Sequence, residues 1–136
     1  MVRKKVVNSP DVAHGRATSS QAVIVPPGCG VMFIRGLVAW DQDGNVLHQG
    51  DIESQARDIF EQMKKLTAEA GATLDDVVKL TNFVRDMKKF TLLQSVRRQY
   101  FPSEPPASTT IEVSRLAHDD LLIEIEAVVL IGSSAA

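Results

Sequence analysis

Two carboxylates, Glu124 and Glu126, stand two residues apart inside the apolar run 121–131. In a strand, side chains alternate, so both project from one face with Leu122, Val128 and Leu130 as neighbours. A carboxylate in such company is paired with a cation, protonated, hydrated or put to use. Pairing with Arg or Lys is the structural reading; holding a water or moving a proton is the chemical one. Arg35 stands beside Gly36 in another apolar run. It is either a surface arginine at a strand end or an anion clamp, since a planar guanidinium takes a carboxylate in bidentate fashion. A glycine inside a strand marks a bulge or a close backbone approach. Ser108, Thr109 and Thr110 form a run of hydroxyls just after a Pro-Pro bend. Such a run is either β-compatible surface or a set of ligand-binding hydroxyls.

Other chemistries find little support. His14, His48 and His118 fall in or beside expected loops, and none is tied by a motif to a serine, so a nucleophilic triad is not expected. Cys29 is the single cysteine, which excludes an intrachain disulfide and a Cys-rich zinc site; lying after Pro-Pro-Gly with no helix start nearby, it is expected to be inert. No His-x-x-x-His or His-Glu-x-x-His spacing exists, so no metal site is expected. With neither a phosphate loop nor Gly-x-Gly-x-x-Gly, no nucleotide cofactor is expected either. Lys88, Lys89, Arg97 and Arg98 form a basic stripe that reads as a solvated helix face.

The elements that must position these residues follow from periodicity. Residues 5–8 and 21–25 read as strands around a loop at 9–20 that contains His14 and Arg16. After the Pro26-Pro27-Gly28 break, residues 31–40 resume as a strand, and 41–45 carry turn chemistry. Asp51 is a good N-cap for a helix with Ile52, Ala56, Ile59, Phe60, Met63 and Leu66 on one stripe, stopped by Gly71. A turn at 73–76 leads to a strand at 77–84. Asp86 then caps a second helix with Phe90, Leu93, Val96 and Tyr100 on its apolar stripe, ended by Phe101-Pro102. Strands at 108–113 and 121–131 complete the order β, β, β, α, β, α, β, β. Two amphipathic helices cover only one face of a six-stranded mixed sheet, so the reading is an α+β fold with both helices on one side. The strands at 77–84 and 121–131 are apolar on both sides, which calls for burial of the second face against other copies of the chain.

A chain of 136 residues buries about 68% of its unfolded surface and needs no staples, so residues 1–136 read as one domain, with a first strand in 1–8 and a flexible tail at 132–136. No apolar run approaches the roughly 20 residues of a spanning helix, and no leader pattern opens the chain, so a soluble, unprocessed, cytoplasmic protein without a membrane partner is expected. A net charge of −2 offers no broad positive field, which makes nucleic acid an unfavoured partner.

Several segments taken together resemble the reactive intermediate deaminase (Rid, or YjgF) family. They are Arg35-Gly36-Leu37-Val38-Ala39-Trp40-Asp41, Asp43-Gly44-Asn45-Val46, Gly50-Asp51-Ile52-Glu53-Ser54-Gln55-Ala56, Ala70-Gly71-Ala72-Thr73-Leu74-Asp75-Asp76-Val77-Val78-Lys79 and Phe83-Val84-Arg85-Asp86-Met87. Pro106-Ala107, Glu112-Val113-Ser114-Arg115-Leu116 and Ile123-Glu124-Ile125-Glu126-Ala127 complete the set. The resemblance runs from about Gln21 to Val129. It implies a chorismate-mutase-like α+β fold, a homotrimer with a central barrel, and ligand clefts between neighbouring subunits. It also implies cofactor-free hydrolysis of unstable enamines and imines, such as 2-aminoacrylate, to the keto acid and ammonia.

The chain departs from the family pattern at the pocket. Deaminating members follow Pro-Ala with an arginine that clamps the substrate carboxylate; here Ser108 follows Pro106-Ala107. The cysteine common two positions later is Thr110, and a Gly-Pro-Tyr segment is replaced by Ala17-Thr18-Ser19. Glu124 matches the family carboxylate thought to hold the attacking water, so it is the expected catalytic residue. Arg35 stands where the family has the serine of Ser-Gly-Gln. The resemblance thus makes Arg35, Gly36, Ser108 and Thr110 the expected substrate-binding residues, with Arg35 taking over part of the anion binding. Thr109, Gln94, Tyr100 and Trp40 are further candidates to line the pocket. The expected function is hydrolytic deamination of a carboxylated enamine, imine or larger unsaturated amino acid, such as a catabolic intermediate, rather than of 2-aminoacrylate. The alternatives are a non-catalytic, metabolite-binding or regulatory trimer, and the ribonuclease activity associated with some relatives.

Overall fold

A computed structural model describes residues 3–13 and 18–132; His14, Arg16, Ala17 and most of the expected tail lie outside the described residues. The chain forms β1 (Lys5–Val7), β2 (Ala22–Ile24), β3 (Gly30–Leu37), α1 (Ile52–Glu69), β4 (Val77–Val84), α2 (Phe90–Tyr100), β5 (Ala107–Glu112) and β6 (Ile123–Ile131). Short 3-10 turns precede β4 at Leu74–Asp76 and α2 at Met87–Lys89. The element order is the expected one, but the six strands do not share one sheet. Four make a mixed sheet in the order β3-β6-β4-β5, and β1 and β2 pair only with each other. Those two strands are three residues each, and Pro26-Pro27 interrupts the chain before it reaches the main sheet. The hairpin is tied down by single contacts instead. Lys4 Nζ donates to the Val77 carbonyl at 2.8 Å, and Ser20 forms a parallel bridge with Ala107 at the β5 edge.

The helix starts are chemically specified. The Asp51 carboxylate accepts from the Ser54 N–H (3.1 Å) and the Ser54 hydroxyl (2.7 Å), which satisfies an orphan donor of the first turn of α1. Gly71, at φ +70°, lets the chain turn away from α1. Asp86 caps the 3-10 turn rather than α2 itself, accepting from the Lys88 N–H.

Both helices pack on one face of the large sheet. Ile52, Ala56, Ile59, Phe60 and Met63 of α1 and Leu93 and Val96 of α2 are buried against Ile34, Leu37, Leu80, Val84, Ile123, Ile125, Ala127 and Val129. Phe60 joins the helices, with ring centroids 5.1 Å from Tyr100 and 5.5 Å from Phe101. Two expected stripe positions shift. Leu66 is exposed, and Thr67 is buried in its place with its hydroxyl donating to the Lys64 carbonyl. Arg97, expected on the solvated face, is only 4% exposed.

Among the described residues, no helix covers the opposite face of the sheet. Register places Val31 and Phe33 of β3, Lys79, Thr81 and Phe83 of β4, Thr109 and Ile111 of β5, and Glu124, Glu126 and Val128 of β6 on it. Phe33 is 79% exposed there. The β4 share of this face is mixed rather than apolar, because Lys79 and Thr81 flank the ladder.

Candidate functional site

The residues expected to act together fall into two groups on opposite faces of the sheet. Arg35, Gly36 and Glu124 occupy the open face. Along β3, Ile34 is paired with Ala127 and Leu37 with Ile125, so three steps on β3 match two on β6. This is a β-bulge at Arg35-Gly36, as the glycine suggested. It keeps Ile34 and Leu37 both on the core side despite their odd spacing.

At the bulge the Glu124 side chain lies against the Gly36 backbone. A Cβ at position 36 would overlap Glu124 Oε2 and stand 2.7 Å from Cδ. Gly36 is therefore required for space, not for an unusual backbone conformation. Glu124 is half-buried and lies opposite Phe83 of β4. Among the described residues neither Glu124 nor Glu126 forms an ion pair. The structural reading, pairing with Arg or Lys, is thus not what holds Glu124 in place. Arg35 is exposed and lines an open hollow of about 340 Å³ with Phe33, Lys79 and Glu126.

Ser108 and Thr110 lie on the helix side, paired with Leu80 and Asn82 of β4. They line an open cavity of about 550 Å³ with Ser19, Met87, Phe90, Thr91, Gln94 and Arg97. Its floor is a polar network. Asn82 Nδ2 donates to Ser108 Oγ (2.8 Å), the Thr109 carbonyl (3.0 Å) and, more weakly, Thr110 Oγ1 (3.4 Å). A carbonyl can only accept, so Thr109 fixes which end of the amide points this way. Arg97 Nη1 donates to Ser108 Oγ at 2.8 Å and Nη2 to Thr18 Oγ1 at 2.7 Å. The guanidinium carbon stands 5.7 Å from the centroid of the Phe90 ring. Burial, and then the neighbouring Arg98 charge, lower the Arg97 pKa to about 10. It remains charged at neutral pH.

Gln94 lines this cavity, whereas Thr109 turns to the open face and accepts from Lys79 Nζ at 2.8 Å. Tyr100 faces a different hollow beside Lys64 and Thr73, and Trp40 is bridged to Val46 at the β3 turn. Cys29 is a free, half-buried thiol outside both groups.

Sequence reasoning passed over Gln55 and misplaced Arg97 on a solvated face. Gln55 is fully buried; its Nε2 donates to the carbonyls of Leu47, His48 and Asp120, and its Oε1 accepts from Leu122 N–H at 2.9 Å. It fixes the approach to β6 and hence the placement of Glu124. For Arg97 the signal was the spacing, four residues after Leu93 and seven after Phe90.

A two-helix α+β domain with an uncovered sheet face and a polar cavity between α2 and β5 is the chorismate-mutase-like class. Residues 15–131 match the family model described as Endoribonuclease L-PSP, and the chain belongs to this family, the Rid/YjgF family. A RutC family protein of Pyrococcus abyssi is 38% identical over 97 residues, which cover 71% of this chain and 76% of that one. A Rid-family protein of unknown function, YyfB of Yersinia pestis, superposes with a TM-score of 0.79 at 28% identity, over 93% of this chain and 98% of its own. RidA from an Antarctic Psychrobacter gives a TM-score of 0.68 at 26% identity, over 93% and 99%. Among the described residues no helix is long and apolar enough to cross a membrane, and no group of three or more His, Cys, Asp or Glu could hold a metal ion.

Proposed function

We propose that the chain hydrolyses a carboxylated enamine or imine in clefts between copies of itself, with Glu124 managing the proton. The observation that carries this reading is the state of Glu124, a half-buried carboxylate with no ionic partner among the described residues, laid against a glycine on the sheet face that no helix covers. Glu124 and the Ser108 cavity lie on opposite sides of one sheet, so within one chain they cannot meet around a small molecule. A neighbouring copy docked on the open face brings Glu124, Gly36 and Arg35 of one chain to the cavity of the next. Phe33, 79% exposed beside them, supplies apolar area for that contact, which a homotrimer would bury.

The chemistry asks little of the protein. An enamine protonated at its β-carbon becomes an iminium ion, whose carbon is already electrophilic. Glu124 accepts a proton from water as its oxygen bonds to that carbon. The proton then passes to nitrogen, the C–N bond breaks as the new hydroxyl gives up its proton to become the keto oxygen, and ammonia and the keto acid leave, the released proton balancing the one taken up at the β-carbon. Arg35, at the rim, adds positive charge for a substrate carboxylate. Ser108 in place of arginine makes 2-aminoacrylate the less favoured substrate, and a cavity with Met87 and Phe90 in its wall suits a larger unsaturated amino acid.

The test is ammonia release from freshly generated 2-aminoacrylate and from larger enamines and imines, with Glu124→Gln beside the wild type. Turnover on a larger substrate, falling about 10²- to 10⁴-fold in the variant, is expected. No turnover across the panel by an intact oligomer would overturn the reading in favour of a non-catalytic metabolite-binding protein. RNA cleavage, which the matched family's description names, would need a basic path that a net charge of −2 does not favour.

A further inference from the structure

Among the described residues, Arg97 is a buried cation without an anion. It is 4% exposed, its Nε has no hydrogen-bond partner, and both of its hydrogen-bonded neighbours among the described residues are neutral hydroxyls. The neighbouring charge that acts on it is another cation, Arg98. Buried charges are ordinarily paired, because desolvation costs more than neutral hydrogen bonds return. A fold that keeps such a group at the wall of an open cavity keeps it for something that enters the cavity.

The hydroxyl in front of it is wired to match. Ser108 Oγ accepts from Arg97 Nη1 and from Asn82 Nδ2, both at 2.8 Å. With its two lone pairs engaged, the hydroxyl has only its proton left to offer. A hydroxyl so held is a donor and not an acceptor, polarised by the guanidinium behind it. Such a donor recognises an anionic oxygen and is poorly suited to a cation or an amide N–H.

We infer that Arg97 and Ser108 form a carboxylate-recognition pair in the cavity between α2 and β5, Ser108 by direct contact and Arg97 as the charge behind it. The ligand class is a small organic carboxylate whose apolar body lies over Met87 and Phe90. This deepens the proposed function, since it rests on the reading of that cavity as the substrate site. It also places the main anion recognition on α2, on the far side of the sheet from Arg35.

The probe is crotonate, a short unsaturated carboxylate, against crotonamide, its neutral isostere, with binding followed by ligand-observed NMR titration on the intact protein. Wild type should favour crotonate at least tenfold. Arg97→Met, which keeps the length and removes the charge, should lose that preference and weaken crotonate binding tenfold or more. Arg97→Lys should retain part of the preference, Ser108→Ala should weaken crotonate severalfold, and Arg98→Gln, outside the cavity, should stay within twofold. A purely structural Arg97 would lower the melting temperature when removed; an uncompensated one leaves it unchanged or raises it in Arg97→Met. Equal binding of the two probes, no binding of either, or an undiminished preference in Arg97→Met would overturn the inference. The readout is binding and not turnover. Arg97-dependent binding without ammonia release would therefore sink the deaminase reading alone, and turnover unaffected by Arg97→Met would sink the recognition pair alone.

Discussion

A methyl group at position 36 has no room while Glu124 keeps its present rotamer, because it would overlap the carboxylate. The obstructing atoms are mostly the far end of a flexible side chain, so the carboxylate can swing out at modest cost. Gly36→Ala should therefore leave the melting temperature within a few degrees of wild type, while ammonia release falls toward the Glu124→Gln level. A large loss of stability, or unimpaired turnover, would show that the carboxylate is not held by this contact. Glu124 and Gly36 were each legible in the sequence, since an acid among apolar strand residues and a glycine within a strand are both local anomalies, but their contact with each other was not. Arg97 was not legible in the same way. A charged residue at a helical position is read as solvated by default, and it is the hydroxyls of Thr18 and Ser108, contributed by distant segments, that give its buried guanidinium hydrogen-bond partners.

The elements show where local chemistry suffices and where it does not. The start of α1 was fixed by Asp51, and the structure returns that cap. Hydrogen bonds from Ser54, first through its hydroxyl and then its N–H, hold the Asp51 carboxyl below its ordinary range. A carboxyl depressed in the folded state adds stability that is fully present above the unfolded value of about 3.9 and is lost as pH falls through the lower folded value. The gap in melting temperature between wild type and Asp51→Ala should thus be widest near neutral pH and close below that range. Gln55 acts at the same scale but over a long range, joining α1 to the segment before β6 through Asp120 and Leu122. Gln55→Leu would strand those backbone groups at a cost of about 2 to 3 kcal/mol, measurable as a lower denaturant midpoint with unchanged slope. The separation of β1 and β2 into their own sheet was hidden from sequence reading, because strand propensity says nothing about which edge a strand finds. Lys4 and Ser20 settle that through tertiary contacts.

At the scale of the whole molecule, the uncovered sheet face is the feature that the rest of the architecture must answer. Phe33, Val31 and Ile111 are exposed on it, at 79%, 42% and 42%. Phe33→Glu should shift sedimentation from an oligomer to a species of one-chain mass with the helix content unchanged. A wild-type protein that is already monomeric at working concentration would contradict the shared cleft. The bulge in β3 has a consequence of its own. Because Arg35 and Gly36 together take one step of the ladder, the chain carries a spare residue there whose side chain belongs to neither the core nor the strand pairing. Its type can change while every buried neighbour keeps its place. That slack lets an arginine stand at position 35, and it makes this a point in the sheet where a surface side chain can change without refolding the domain.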